Sequence, residues 1–84
     1  MALTRYIYTV QEVDLTFEQL PSVKTFEYQN DASDYFDSRI TALQKQFPEA
    51  DETALDDFDA AGVYCDDQGE SKYMIILQRQ ELLS

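Results

Sequence analysis

Residues 30–48, NDASDYFDSRITALQKQFP, contain the clearest structural pattern in the chain. Their apolar side chains recur every three or four residues, at Ala32, Phe36, Ile40, Leu43 and Phe47. At 100° per residue these side chains fall within an arc of about 80°, which predicts an amphipathic helix with one buried stripe. Asn30 or Asp31 can cap the first turn of this helix, and Pro48 ends it.

Two β-strands are predicted before the helix, at residues 3–13 and 23–28. Both segments are rich in β-branched and aromatic residues that alternate along the chain. The connection between them contains Leu15, Phe17 and Leu20. We therefore expect this connection to lie on the core.

After the helix, the pattern predicts a second, shorter helix that begins at Asp51 and ends at Gly62. Its apolar side chains keep a helical spacing at Ala54, Leu55, Phe58 and Ala61. Residues 63–65 then form a short strand and residues 66–69 a turn. Residues 72–77 form the last strand, and its unbroken apolar run is typical of a central strand covered on both faces.

The predicted order of elements is ββααββ, which places the chain in the α+β class. Its 84 residues and 9.7 kDa correspond to one domain spanning residues 1–84. We expect an antiparallel sheet of about four strands with one long and one short helix on one face. The outer strands are predicted to be residues 3–13 and 63–65.

Composition excludes several classes of function. The chain has 17 acidic and 6 basic residues, a net charge of −11, no histidine and one cysteine, Cys65. The charge argues against direct binding to nucleic acid or anionic lipid. The missing histidine removes the commonest general base and metal ligand. We therefore predict no catalytic residue, no metal site and no cofactor.

Two weaker patterns lead to the same conclusion. Residues 57–62 begin like a calcium-binding loop, but Ala61 and Gln68 stand where that loop requires oxygen ligands. The apolar residues near the N-terminus are interrupted by Gln11, Glu12 and Asp14, so neither a secretion signal nor a membrane span is predicted. A cytoplasmic location is the expectation.

Acidic residues provide the only feature that points to a function. Nine lie between Glu49 and Glu70 with no base among them, and the first helix adds three more that point away from its apolar stripe. Carboxylates three residues apart on a helix lie about 5–6 Å from one another, a spacing comparable with that of phosphates along a nucleic-acid strand. The predicted partner-binding residues are Asp31, Asp34, Tyr35, Asp37, Asp51, Glu52, Asp56, Asp57 and Asp59, with Tyr35 exposed.

These features predict a non-enzymatic protein-binding module that occupies a basic, nucleic-acid-binding surface of a partner protein. In size and charge the chain is similar to phage-encoded inhibitors of bacterial defence nucleases and to other nucleic-acid mimics. This likeness lies in bulk properties, so it transfers the role of no residue. The alternative is a structural or accessory subunit that associates through the edge of strand 3–13 or 63–65, with the acids serving only solubility.

Overall fold

The computed structural model describes residues 4–54 and 59–83. Its elements are strands β1 (Thr4–Asp14) and β2 (Ser22–Phe26), helix α1 (Gln29–Gln46), and strands β3 (Glu49–Ala54), β4 (Ala60–Cys65) and β5 (Ser71–Leu83). The strands form one sheet in the order β2-β1-β5-β4-β3, and every neighbouring pair is antiparallel. The α+β class is confirmed, but the order ββααββ is wrong, because the described chain has five strands and one helix.

The predicted second helix is replaced by a pair of strands. Strand β3 pairs with β4 from Glu49 opposite Cys65 to Ala54 opposite Ala60, while residues 55–58 lie outside the described chain. Gly62 lies within β4 instead of ending a helix, and an added Cβ there would be 3.1 Å from the Tyr64 ring. The apolar spacing suited a helix, but hydrogen bonding along the whole β4 edge outweighed that local preference.

Helix α1 confirms the predicted apolar stripe. Ala32, Phe36 and Leu43 are buried against the sheet, with Ile40 and Phe47 packed beside them. The predicted cap is wrong: the helix begins at Gln29, and Tyr28 is the N-cap residue without a side-chain hydrogen bond. The helix ends at Gln46, just before Phe47 and Pro48, as expected.

The core lies between α1 and one face of the sheet. Strand β5 is central, as predicted, but among the described residues α1 covers only one of its faces and not both. On that face β5 contributes Ile75 and Leu77, β1 contributes Val10 and β4 contributes Tyr64. Because side chains alternate along a strand, only every second residue of each strand reaches this core.

The connection between β1 and β2 does not lie on the core. Phe17 is 87% exposed and Leu20 is 91% exposed, so that expectation is wrong. The Oδ1 atom of Asp14 accepts hydrogen bonds from the backbone N–H (2.9 Å) and hydroxyl (2.6 Å) of Thr16. Phe17 follows with a φ of 62°, in the left-handed region that an aromatic residue rarely adopts. This tight turn directs the loop away from the core.

The outer strands also differ from the prediction. Strands β2 and β3 form the edges, whereas residues 4–13 and 63–65 belong to β1 and β4 inside the sheet, and residue 3 lies outside the described residues. β1 is interior because β2 pairs with it over Tyr8–Glu12 while β5 pairs with its other side.

Candidate functional site

Three aspartates form the outer surface of α1. Asp31, Asp34 and Asp37 are all exposed, because burial of the apolar stripe turns the opposite side of the helix to solvent. We call these three side chains the acidic face. None of them forms an ion pair with another residue of the described chain. Their charge is therefore available to a partner.

Glu52 is tied to the C-terminal half of α1 and to the core. Its Oε1 atom accepts hydrogen bonds from the Tyr64 hydroxyl (2.7 Å) and from Nε2 of Gln44 (3.0 Å). Gln44 is two helical turns after Asp37, on the same side of α1 and about 10 Å along the axis. The structure thus connects Glu52 to α1, beyond the C-terminal end of the acidic face, although Glu52 is on strand β3 and not on the predicted helix. Burial, followed by the hydrogen bond and charge of Glu52, raises the pKa of Tyr64.

The other predicted acids do not join this surface. Asp51 precedes Glu52 in β3, so its side chain points to the opposite face of the sheet. Asp59 is half-buried, and its Oδ1 atom accepts a hydrogen bond from the backbone N–H of Arg79 (3.1 Å). Asp56 and Asp57 lie outside the described residues. Among the described residues, the predicted acids therefore divide into the acidic face of three aspartates and three separate carboxylates, those of Asp51, Glu52 and Asp59.

Tyr35 is not exposed as predicted but belongs to the contact between helix and sheet. Its hydroxyl donates to Oε2 of Glu12 (3.2 Å), and its ring lies 5.5 Å from the Phe26 ring between centroids. Lys24 Nζ is 4.8 Å from the centre of the same ring. Desolvation and the Glu12 carboxylate raise the pKa of Tyr35. Tyr35 therefore helps to hold α1 in place.

Glu12 is the centre of a polar cluster that fixes the orientation of α1. The Glu12 side chain is only 6% exposed, and its Oε1 atom accepts bonds from Arg39 Nε (2.8 Å) and the Tyr73 hydroxyl (3.1 Å). We call Glu12, Tyr35, Arg39 and Tyr73 the Glu12 cluster. The hydrogen bond that Arg39 donates to Glu12 raises the pKa of Arg39, and burial followed by the Glu12 charge raises that of Tyr73. The cluster satisfies the buried carboxylate, which would otherwise carry a large desolvation cost.

Sequence reasoning missed this cluster, although a signal was present. Glu12 has the same strand parity as Tyr8 and Val10, so it is a charged residue at an inward position of β1. Such a residue needs a buried partner of opposite charge. Arg39, one residue before Ile40 of the apolar stripe, was the basic residue of the helix best placed to supply it.

The exposed loop between β1 and β2 was also missed as a candidate contact. An open cleft of about 460 Å³ separates this loop from the C-terminal half of α1, with Thr16, Arg39 and Gln46 among its lining residues. Phe17 and Leu20 are exposed in the same loop and do not line this cleft. We call these two side chains the apolar anchors, because exposed aromatic and aliphatic groups on an ordered turn are suited to filling a partner's pocket.

The described residues show no metal centre: no three side chains among His, Cys, Asp and Glu gather there as a metal site requires. Over the same residues, no helix is both long and apolar enough to cross a membrane. Cys65 is half-buried, with its Sγ atom 4.0 Å from Ser71 Oγ.

No protein-family model, no curated protein and no solved structure matches this chain. The arrangement of charge and apolar surface on the molecule is therefore what indicates its function.

Proposed function

We propose that this chain is a non-enzymatic binding module that docks through the acidic face on a basic surface of a partner protein. In its most concrete form the partner surface is one that otherwise holds nucleic acid. The observation that carries this proposal is the outward row of Asp31, Asp34 and Asp37, exposed and without an ion pair in the described chain.

The helix presents these carboxylates with little freedom to rearrange. The Glu12 cluster on one side and the bond from Gln44 to Glu52 on the other tie α1 to β1, β3 and β5. A charged surface that is already ordered loses less conformational entropy on binding than a flexible acidic tail. This supports a specific docking surface over a purely solubilising one.

Basic residues are placed so that they do not neutralise the acidic face. Arg39 pairs with Glu12, Lys72 lies 3.5 Å from Glu70, and Lys24 lies over the Tyr35 ring. With a net charge of −11, the molecule attracts a basic partner over a distance, so association should be fast and weakened by salt.

The test is capture of host proteins by the tagged chain, followed by elution with salt and with double-stranded DNA. We expect basic nucleic-acid-binding proteins that are released by salt and displaced by the DNA. The triple variant Asp31→Lys, Asp34→Lys, Asp37→Lys should lose them. A matched variant, Glu27→Lys, Asp67→Lys, Glu81→Lys, alters three other exposed acids and should retain them.

Both triple variants carry the same net charge of −5, so a difference between them reports the acidic face and not the overall charge. Thermal melting shows that each variant is folded before capture is scored. Equal capture by the two variants, or capture that DNA does not displace, would contradict the proposal.

The apolar anchors offer a second measurement, independent of the acidic face. Replacing both Phe17 and Leu20 by serine leaves the charge unchanged and removes exposed apolar area. If the anchors fill a pocket of the captured protein, affinity should fall at least about tenfold, whereas the salt dependence stays the same. Unchanged affinity would confine docking to the acidic face.

A second candidate function, an accessory subunit joined through a strand edge, is favoured by the free part of β1. Strand β2 ends opposite Tyr8, so within the described chain residues 4–7 pair only with β5. A cleft of about 360 Å³ lies at this edge, bordered by the exposed Tyr6 and Tyr28. An extended segment of a partner could continue the line of β2 there.

This candidate gives a different result in the same experiment. The captured protein would resist high salt, would be lost with Tyr6→Ser and Tyr28→Ser, and would remain with the triple helix variant. Salt-sensitive capture that survives both tyrosine substitutions would exclude it.

A further inference from the structure

The cleft between the β1–β2 loop and the C-terminal half of α1 is lined by groups of both charges. Its volume of about 460 Å³ is within the range of roughly 300–1,000 Å³ that small-molecule sites occupy. Its cations are Arg39 of α1 and Lys72 of β5, and its anions are Asp14 of β1 and Glu18 of the loop. We call these four side chains the charged lining. Its charges cancel, in a chain whose net charge is −11.

The two bases of the charged lining are the most enclosed bases of the chain. All six basic residues lie in the described chain, and four of them are exposed. Arg39 and Lys72 are half-buried, and both line this one cleft. A half-buried cation has lost part of its hydration, so two such cations in one cleft favour an anionic group there.

The Arg39 guanidinium is oriented before any ligand arrives. Its Nε donates to Oε1 of Glu12 at 2.8 Å, and the Glu12 side chain is only 6% exposed. This bond uses one of the five N–H groups of a guanidinium, and the other four, on the Nη atoms, are suited to a carboxylate. Because a buried carboxylate already holds the group, little conformational entropy is lost when it binds a ligand.

Lys72 supplies the second positive charge. Its Nζ lies 3.5 Å from Oε2 of Glu70 and 3.8 Å from Oδ2 of Asp66. Both distances exceed the roughly 2.7–3.2 Å of an N–H···O hydrogen bond, so these are loose ion pairs. The ammonium group of Lys72 can therefore still donate to a carboxylate in the cleft.

The two acids of the charged lining suit an ammonium group. The hydroxyl and the backbone N–H of Thr16 donate to Oδ1 of Asp14, and these bonds lower the pKa of Asp14, so its carboxylate is ionised at neutral pH. Glu18 follows in the exposed loop. Hydrogen bonds between an ammonium group and a carboxylate are among the stronger ones in proteins.

We propose that this cleft binds a free α-amino acid with an apolar side chain. Its carboxylate binds Arg39 and Lys72, and its ammonium group binds Asp14 and Glu18. Its side chain lies against Phe47, the half-buried aromatic residue of α1 that lines the cleft with Leu43. An amino acid has no net charge, so the field of a chain with a charge of −11 does not repel it as it would repel a phosphate or a dicarboxylate.

Titration of the full 84-residue chain with L-leucine, followed by heteronuclear NMR, tests the proposal. We expect a dissociation constant below about 1 mM. The largest shifts should be those of the backbone amides of Gln19, Gln46 and Tyr73, which line the cleft. No shift at about ten times that concentration, or shifts confined to other parts of the chain, would overturn the proposal.

Two analogues of leucine test each charge of the ligand separately. Isocaproate lacks the ammonium group of leucine, and isoamylamine lacks its carboxylate. Each analogue should bind at least about tenfold more weakly than leucine, because each leaves two members of the charged lining without a partner. If either analogue binds as tightly as leucine, the cleft does not recognise a zwitterion and the proposal is wrong.

Substitutions in the charged lining locate the site. Lys72→Gln should weaken leucine binding at least about fivefold, because it removes one partner of the carboxylate. Lys45→Gln is the matched control, since it removes the same charge at an exposed position of α1 outside the cleft, and it should change the affinity by less than about twofold. The spectrum of each variant shows that it is folded. Equal effects of the two substitutions would overturn the assignment to this cleft.

The same comparison applies to the ammonium group. Glu18→Gln should weaken leucine binding, whereas Glu27→Gln, at an exposed position outside this cleft, should not. The cleft is separate from the acidic face, because its residues on α1 all follow Asp37. A chain that binds leucine but captures no basic protein would refute only the proposed function, and the reverse would refute only this inference.

Discussion

Ile75 and Ile76 are neighbours in β5, but they lie on different faces of the sheet. Ile75 points towards α1 and is 0% exposed, whereas Ile76 points to the opposite face of the sheet and is half-buried. The two residues have the same side chain, strand and neighbouring strands. Only the presence of a covering layer separates them.

The difference extends along the other strands. On the covered face, Val10 and Tyr64 are buried, and the charged Glu12 is accepted because the Glu12 cluster surrounds it with donors. On the opposite face of the sheet, Gln11, Ile76 and Ala61 lie side by side on the inner strands and are half-buried. The covered face thus tolerates a charge, because that charge is fully paired.

The largest expected effect tests the comparison directly. Ile75→Ala should lower the free energy of unfolding by about 3 kcal/mol, because it leaves a cavity under α1. Ile76→Ala should cost about 1 kcal/mol in the monomer, since its side chain is only half-buried. Urea denaturation at low protein concentration and low salt measures both. Equal losses would mean that the two faces are equally packed.

The next effect concerns the paired charge on the covered face. Arg39→Met leaves the buried Glu12 carboxylate without its basic partner and should cost about 2 kcal/mol, a value reduced because the Arg39 side chain is one-third exposed. Lys45→Met is the control, as Lys45 is exposed on the same helix. If the two variants unfold at the same urea concentration, the Glu12 cluster does not hold α1 in place.

The tyrosines of the covered face predict a loss of stability in alkali. Tyr35, Tyr64 and Tyr73 have raised pKa values in the folded chain, so the unfolded chain releases their protons first, near pH 10. Their contribution is complete below pH 10 and is lost as the pH rises towards the folded values. Thermal melting from pH 8 to 11.5 should show this decline, and it should be shallower in Tyr73→Phe. A melting temperature that is constant up to pH 11.5 would contradict the assignment.

The smallest effect is expected on the outer side of α1. Asp31→Asn, Asp34→Asn and Asp37→Asn should each change the free energy of unfolding by no more than about 0.5 kcal/mol, because these side chains are exposed and unpaired in the described chain. Denaturation curves that overlap within error would show that the acidic face is free of a structural role. A loss of more than about 1 kcal/mol in the free energy of unfolding would show that these aspartates help to stabilise the fold.

Local sequence patterns predicted the parts of the fold whose structure follows from the residues of one helix or one strand. The stripe from Ala32 to Phe47 has the helical period over four turns, and the same stripe predicts that Asp31, Asp34 and Asp37 point outward. The apolar run of β5 likewise predicts a central strand. In each case a long, regular pattern leaves one solution.

Local patterns failed where two segments had to compete for the same partner. The pattern of residues 51–54 fits a helix as well as a strand. These residues form strand β3 because they pair with the edge of β4. Tyr35 lies beside the apolar stripe, so its position in sequence does not decide whether it is exposed. Its hydroxyl is bound by Glu12, which lies 23 residues earlier in the chain. Phe17 was expected on the core because it is apolar, but the turn at Asp14 and Thr16 directs the chain away from it.

The sequence by itself determined the composition of the surface, the long helix with its acidic outer side, and the central position of β5. Each depends on contacts within one element or on the count of charges, and these do not change with the fold. The tertiary structure alone decided that Asp51 and Glu52 lie on opposite faces, that Glu12 is buried with Arg39, and that one side of the sheet has no cover among the described residues. Those features depend on which distant segments of the chain pack together. Whether a side chain is buried, paired or exposed is decided by that packing and not by its neighbours in sequence.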